Sequence, residues 1–143
     1  MTEDTNIKQE TLTDETRARL KNLSKTLLHL HKTLLDDERA EYEKANGKIN
    51  SISEVFRLVL DDPHFAWLRK MSSMIAMIDE FLASKTPVNE ADGQEFIKQV
   101  SVMLKFELAD DSFDDKFQNA LQRNPNAVIN HNDALRYIKQ NEK

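Results

Sequence analysis

The fold of this protein follows from a leucine-rich stretch at residues 20–35, which reads LKNLSKTLLHLHKTLL. Five of its leucines recur at alternating spacings of three and four residues: Leu20, Leu23, Leu27, Leu30 and Leu34. This spacing places them on one side of an α-helix, because an α-helix repeats every 3.6 residues. The stretch therefore predicts an amphipathic helix with a leucine stripe along its buried side.

The helix that contains this stripe is predicted to be long. It should begin near Thr13 or Asp14, and Asn46 and Gly47 supply a stop signal at its other end. A helix of roughly 30 residues is about 45 Å long, which is typical of helical bundles.

Capping residues mark further helices after the first one. Ser51 and Glu54 have the spacing of a capping box, which predicts a second helix to about Leu60. Asp62 followed by Pro63 predicts the start of a third helix, since aspartate caps well and proline suits the first helical position. Apolar residues cover about half of the third helix, so we expect it to be continuous and to form the centre of the domain.

Three more helices complete the prediction. The fourth should run from about Asn89 to Leu108, and the fifth should be capped by Ser112. Asn124 before Pro125 repeats the cap-and-proline signal for the sixth. The inner stripe of the sixth helix is predicted to consist of Val128, Leu135 and Ile138. We thus expect an all-α bundle in a single domain over residues 13–143, preceded by a flexible polar tail over residues 1–12.

The composition excludes several classes of protein. Two glycines and three prolines are too few for a many-stranded β protein or a glycine-rich nucleotide-binding loop. The lack of cysteine excludes disulfides, thiolate metal sites, iron–sulfur clusters and cysteine nucleophiles. A formal net charge of −5 disfavours nucleic-acid binding. The acidic start MTEDTNIKQE does not resemble a secretory signal, and no apolar run suits membrane insertion, so a cytoplasmic protein is expected.

Blocks of the sequence resemble small uncharacterised bacterial helical proteins. The first block contains Leu30-His31-Lys32, Leu34-Leu35-Asp36, Glu38-Arg39 and Tyr42-Glu43. The later blocks are Asp62-Pro63, Phe65-Ala66-Trp67-Leu68-Arg69, Ile78-Asp79-Glu80, and Ala120-Leu121-Gln122 with Pro125 and His131. The resemblance implies a bacterial helical protein, and it implies no activity, cofactor or catalytic residue.

Several polar side chains fall on helix sides that are otherwise apolar. On the first helix, His31 and Glu38 lie on or beside the leucine stripe and Glu41 lies close to it, whereas His29 falls on the opposite side. Imidazole and carboxylate groups on facing helices are the ligands of metal sites in bundles. His64 and Asp79 lie at inward positions of the third helix, and His131 lies at an inward position of the sixth. The candidate ligands for iron, manganese or zinc are therefore His31, Glu38, His64, Asp79 and His131.

The alternative is a structural role for these residues, in which each histidine hydrogen-bonds a neighbouring carboxylate or carbonyl inside the core. The Glu-x-x-His motif of carboxylate-bridged metal sites does not occur in the sequence, and no cofactor is expected under this alternative. Arg69 has a similar pair of interpretations. It could form a buried ion pair with Asp79, Glu38 or Glu41, or it could bind an anion at the start of the third helix.

No motif for nucleophilic, zinc-protease or phosphate-loop chemistry occurs in the sequence, so an enzyme is not favoured. We expect a module that binds another protein or associates with its own copy through exposed apolar surface of the long first helix or of the C-terminal helices. A metal- or cofactor-binding bundle and a sensor for a small molecule or anion are the alternatives.

Overall fold

The computed structural model describes residues 10–139, which form an all-α bundle as predicted. The helices are α1 (Asp14–Asn46), α2 (Ile52–Asp61), α3 (Pro63–Ala66), α4 (Arg69–Leu82), α5 (Glu90–Leu104), α6 (Asp111–Arg123) and α7 (Pro125–Lys139). No helix of this part of the chain is both long enough and apolar enough to cross a membrane.

The ends of α1 are those that the sequence predicts. The side chain of Thr13 accepts a hydrogen bond from the Thr16 N–H at 3.1 Å, which caps the first turn. At the other end Gly47 has a φ of 86°, and its N–H donates to the Glu43 carbonyl. Glycine adopts this left-handed conformation without the steric cost that a Cβ would add.

The leucine stripe forms the centre of the bundle. All five of its leucines have no exposed surface, and α3, α4, α5, α6 and α7 all contact α1. The helices other than α2 therefore pack around the first helix rather than around the third predicted one. The reason is length, because only α1 with its 33 residues extends along all of the shorter helices.

The third predicted helix is broken, which corrects the expectation of a continuous element. Residues 67 and 68 form a turn between α3 and α4. Phe65, Trp67 and Leu68 are all buried, at 1%, 5% and 1% exposure. Trp67 and Leu68 keep right-handed helical dihedral angles (φ −64°, ψ −28° and φ −68°, ψ −17°), and the Leu68 N–H donates to the Phe65 carbonyl, so the chain tightens here into a turn with i to i−3 hydrogen bonds.

The connection between α5 and α6 also differs from the prediction. Helix α5 ends at Leu104 instead of Leu108, and Phe106 and Ala109 have positive φ values of 60° and 59°. The N-cap of α6 is Asp110 rather than Ser112, since the Asp110 carboxylate accepts from the Phe113 N–H at 3.2 Å.

The start of α7 is as predicted, and its buried side agrees with the prediction at Ile138 and in part at Leu135, which is half-buried against the core. The Asn124 side chain accepts from the N–H groups of Asn126 and Ala127. The buried residues of α7 are Ala127, Ala134 and Ile138, whereas Val128 is 38% exposed. Alanines, rather than the predicted Val128, occupy the buried side of α7. Their small side chains allow α7 to approach α1 closely.

Residues 1–9 of the predicted tail and residues 140–143 at the end of the predicted domain lie outside the described residues. Residues 10–12 of the predicted tail are ordered, which corrects the boundary between tail and domain. The Leu12 N–H donates to the Val88 carbonyl at 2.9 Å, and the Glu90 N–H donates to the Glu10 carbonyl at 2.8 Å. Leu12 is 7% exposed and covers Gly93, where a Cβ would lie only 2.5 Å from its Cδ1. Burial of this leucine holds the segment against α5.

Candidate functional site

A polar cluster lies inside the bundle around Glu38, which is 4% exposed. Trp67 Nε1 donates a hydrogen bond to Glu38 Oε2 at 2.5 Å. The other carboxylate oxygen lies 3.3 Å from Arg123 Nη2 and 3.6 Å from His64 Nε2. Glu38 therefore joins α1 to α3, to the turn after α3 and to α6.

Arg123 is the cation of this cluster. Its Nη2 and Nε lie 2.6 Å and 2.7 Å from Asp37 Oδ2, and Nε lies 3.8 Å from Glu41 Oε2. Burial lowers the pKa of Arg123, but the hydrogen bond to Asp37 and the charges of three carboxylates outweigh it and raise that pKa above its ordinary value. The guanidinium stays charged and compensates for the carboxylates around it.

A small cleft of about 150 Å³ opens beside the cluster. It is lined by Glu38, Glu41, His64, Lys116, Asn119 and Arg123. Rings on one side fix His64, because its centroid lies 5.8 Å from that of Tyr42 and 5.5 Å from that of Phe65. Its Nε2 is buried without a hydrogen-bond partner. Acidic and basic groups are mixed in the cleft, so it does not select one sign of charge.

The structure brings together two of the five predicted metal ligands, Glu38 and His64. Asp79 instead accepts a hydrogen bond from Ser24 Oγ at 2.5 Å, and His31 is half-buried on α1. Within residues 10–139 no group of three or more histidines and carboxylates could hold a metal ion. The guanidinium of Arg123 lies against the Glu38 oxygen that a cation would need.

His131 has the surroundings of a core histidine. Its Nε2 donates to the Leu104 carbonyl at 2.9 Å, at the end of α5, which assigns the proton to Nε2. Its ring packs against Phe106 and Phe117, at centroid distances of 5.7 Å and 5.3 Å. Burial lowers the pKa of His131, although the Leu104 carbonyl acts in the opposite direction. Burial also lowers the pKa of His31.

Arg69 does not pair with Asp79. Its Nη1 donates to the Leu60 carbonyl, and the residue is exposed. Ten positions of α4 separate Arg69 from Asp79, or about 15 Å along the helix axis, which is too far for an ion pair. Arg69 thus attaches the last turn of α2 to the first turn of α4.

Sequence reasoning missed Arg123 and an apolar stripe on α2. The stripe consists of Ile52, Phe56 and Leu60, which are 74%, 64% and 63% exposed. Their spacing of four residues places them on one side of the helix. The sequence contains this spacing, but a pattern of apolar residues does not say whether a bundle neighbour covers it.

A second apolar surface, the methionine groove, lies between α4 and α5. It is lined by Met74, Met77 and Phe81 from α4 and by Phe96, Gln99 and Met103 from α5. Two adjoining hollows of about 450 Å³ and 370 Å³ make up the groove. Asp92 and Glu95 lie at one end of it, and Arg69 and Lys70 lie at the other.

Together these features define an all-α bundle with a charge-compensated polar cluster inside and two apolar surfaces outside. No protein-family model, no curated protein and no solved structure matches the chain.

Proposed function

We propose that the protein acts by binding another protein chain through the apolar stripe of α2. The observation that carries this proposal is the exposure of Ile52, Phe56 and Leu60, each of which is more than 60% exposed. Contiguous apolar side chains on a surface helix are typical of binding sites, because water contact with them is unfavourable until a partner covers them. An amphipathic helix with anchors at i, i+4 and i+8 suits a hydrophobic groove.

The attachment of α2 to the bundle supports the proposal, because it holds the stripe in a fixed orientation. Ser51 caps the helix through the Glu54 N–H at 3.1 Å, and Arg69 binds the Leu60 carbonyl at its end. Leu58 is buried at 3% exposure and anchors the opposite side, and Ile49, in the segment before the helix, is buried to the same extent. A helix that is already formed and oriented loses less conformational entropy on binding.

The alternatives have less support. Arg123 compensates the carboxylates that a metal site would use, and Arg69 is bound to a carbonyl instead of being directed at an anion site. A cytoplasmic location is part of the same proposal, and the lack of cysteine supports it. The resemblance to small bacterial helical proteins agrees with the fold and adds no function.

Site-specific photocrosslinking tests the proposal. A photoreactive amino acid is placed at position 56, on the stripe, and in a control protein at position 61, which is exposed on the other side of α2. We expect irradiation of cells that contain the protein to give a protein adduct from position 56 and little from position 61. The proposal fails if position 56 gives no protein adduct, or if both positions give the same yield.

A further inference from the structure

We propose that the partner is a second copy of this chain, and that the α2 stripe of each copy docks into the methionine groove of the other. This inference rests on the proposed function and names its partner. Four observations support it, namely the lengths of the two surfaces, their chemistry, the charges at their ends and the area that they bury.

The groove is long enough for the stripe, and the two surfaces match in chemistry. From Ile52 to Leu60 the stripe is about 12 Å long, and from Arg69 to Phe81 the α4 side of the groove is about 18 Å long. Met74 and Met77 are flexible and polarisable, so they can adapt to the branched and aromatic side chains of the stripe. Met77 is 48% exposed and is therefore accessible to a second chain.

The charges at the ends specify one orientation. Helix α2 ends with Asp61, and its amino end carries the positive end of the helix dipole with Lys48 shortly before it; Glu54 in the first turn lies 4.0 Å from Arg57, which offsets its charge. The groove has Asp92 and Glu95 at one end and Arg69 with Lys70 at the other. The helix of the second copy therefore fits with its amino end at the acidic end of the groove. Lys70 already lies 3.2 Å from Asp110, so the acidic end contributes more to this choice.

The position of α2 allows the two copies to dock reciprocally. The bond from Arg69 to the Leu60 carbonyl places the end of α2 beside the basic end of the groove in the same chain. A two-fold axis near this point brings each stripe to the groove of the other copy, which is the arrangement of a closed dimer. The same contacts are then made twice.

The area is sufficient for a stable dimer. At exposures of 63–74%, the three stripe residues present roughly 350 Å², taking 150–250 Å² for a large apolar side chain. Two stripes in two grooves bury up to about 1,400 Å² if each groove loses as much surface as the stripe that covers it, which lies in the lower part of the range of 1,200–2,000 Å² for stable interfaces.

The test measures the mass of the full chain in solution by light scattering after size-exclusion chromatography, across roughly a hundredfold range of concentration. We expect the wild-type chain to reach twice its mass of 16.6 kDa. Phe56→Arg and Met77→Glu should each give monomers, because each homodimer would then bury an unpaired charge twice. Ile129→Arg, at a residue 58% exposed on α7, is the control and should leave the dimer intact.

Mixing the two variants tests the reciprocal contact itself. In a mixed dimer the Arg side chain of one copy meets the Glu side chain of the other, and the second contact is entirely wild type. We expect an equal mixture of Phe56→Arg and Met77→Glu to recover the dimer that neither forms alone. Far-ultraviolet circular dichroism of each variant checks that it is folded, and Phe56→Ser with Met77→Ser repeats the single-variant test without added charge.

The inference is overturned if the wild-type chain stays monomeric, if Ile129→Arg disrupts the dimer as much as Phe56→Arg, or if the mixture stays monomeric. These outcomes differ from failure of the proposed function. An adduct from position 56 to a different protein, with a monomeric chain, would preserve the proposed function and reject the second copy. Absence of any protein adduct from position 56 would reject both.

Discussion

Trp67 Nε1 and Glu38 Oε2 are joined by a hydrogen bond of 2.5 Å between residues 29 positions apart, and both side chains are at least 95% buried. A carboxylate inside a bundle requires donors, because its charge is poorly solvated there. Glu38 obtains them from two other segments of the chain, through Trp67 in the turn after α3 and Arg123 in α6. The bond therefore fixes the turn after α3 to the last third of α1.

We expect Trp67→Phe to lower the free energy of unfolding by about 2–3 kcal/mol, since it removes the donor and part of the ring. In a chain that already carries Glu38→Gln the same change should cost at least about 1 kcal/mol less, because an amide oxygen is a weaker acceptor than a carboxylate. Urea denaturation of the four proteins gives the coupling. Additive effects would show that the two side chains do not interact in solution.

Arg123 should contribute more stability than an exposed arginine does. Arg123→Met is expected to cost about 1–2 kcal/mol, between the values for exposed and buried ion pairs, because its side chain is 33% exposed and faces three carboxylates. Arg136→Met is the matched control, with 76% exposure and one partner within its own helix, and should cost less than about 0.5 kcal/mol. Equal losses from the two changes would contradict the central position of Arg123 in the polar cluster.

The stability of the protein should decrease as the pH falls below the ordinary histidine pKa of about 6.5. Burial lowers the pKa of His131 in the folded state, so the unfolded chain binds a proton first and is favoured as the pH falls from that value toward the folded-state pKa. Above the ordinary value both states are neutral and the effect is absent. Urea midpoints between about pH 7.5 and 5 measure it.

The control for this pH dependence is the exposed His29. We expect His131→Gln to lose less stability than the wild-type chain over the same pH range, whereas His29→Gln should retain the wild-type dependence. Some pH dependence should remain in His131→Gln, because burial also lowers the pKa of His31. A His131→Gln protein with the wild-type pH dependence would place His131 outside the core.

The backbone conformation at Ala109 is expected to favour glycine over alanine. It is exposed and has a φ of 59°, in the left-handed region that costs a residue with a Cβ about 1–2 kcal/mol. Ala109→Gly should therefore stabilise the protein by about 1 kcal/mol. Ala40→Gly, at an exposed position within α1, should destabilise it by a similar amount. Thermal or urea unfolding of both variants checks the opposite signs, and a loss of stability in both would contradict the backbone conformation at Ala109.

Local signals in the sequence were enough to predict most helix ends. Gly47, Ser51, Asp62 and Asn124 act on backbone groups within a few residues of themselves, so their effect depends little on the rest of the fold. The leucine stripe was predicted for the same reason, since a period of 3.6 residues is a property of one helix. The long first helix and the all-α class followed from these signals.

The contacts of the polar side chains were decided by the packing of the helices. Helical phase placed Glu38 and His131 on buried sides, but it gave no distance to Trp67 or to the Leu104 carbonyl. Arg123 is 85 positions from Glu38 along the chain, and nothing local marks it as a partner. Likewise, the i, i+4 and i+8 spacing of Ile52, Phe56 and Leu60 predicts one apolar side of a helix, and only the arrangement of the other helices leaves that side uncovered. The sequence alone determined which segments are helical, because helix formation depends on near neighbours, whereas the tertiary structure decided which side chains meet, because those meetings depend on how distant segments dock.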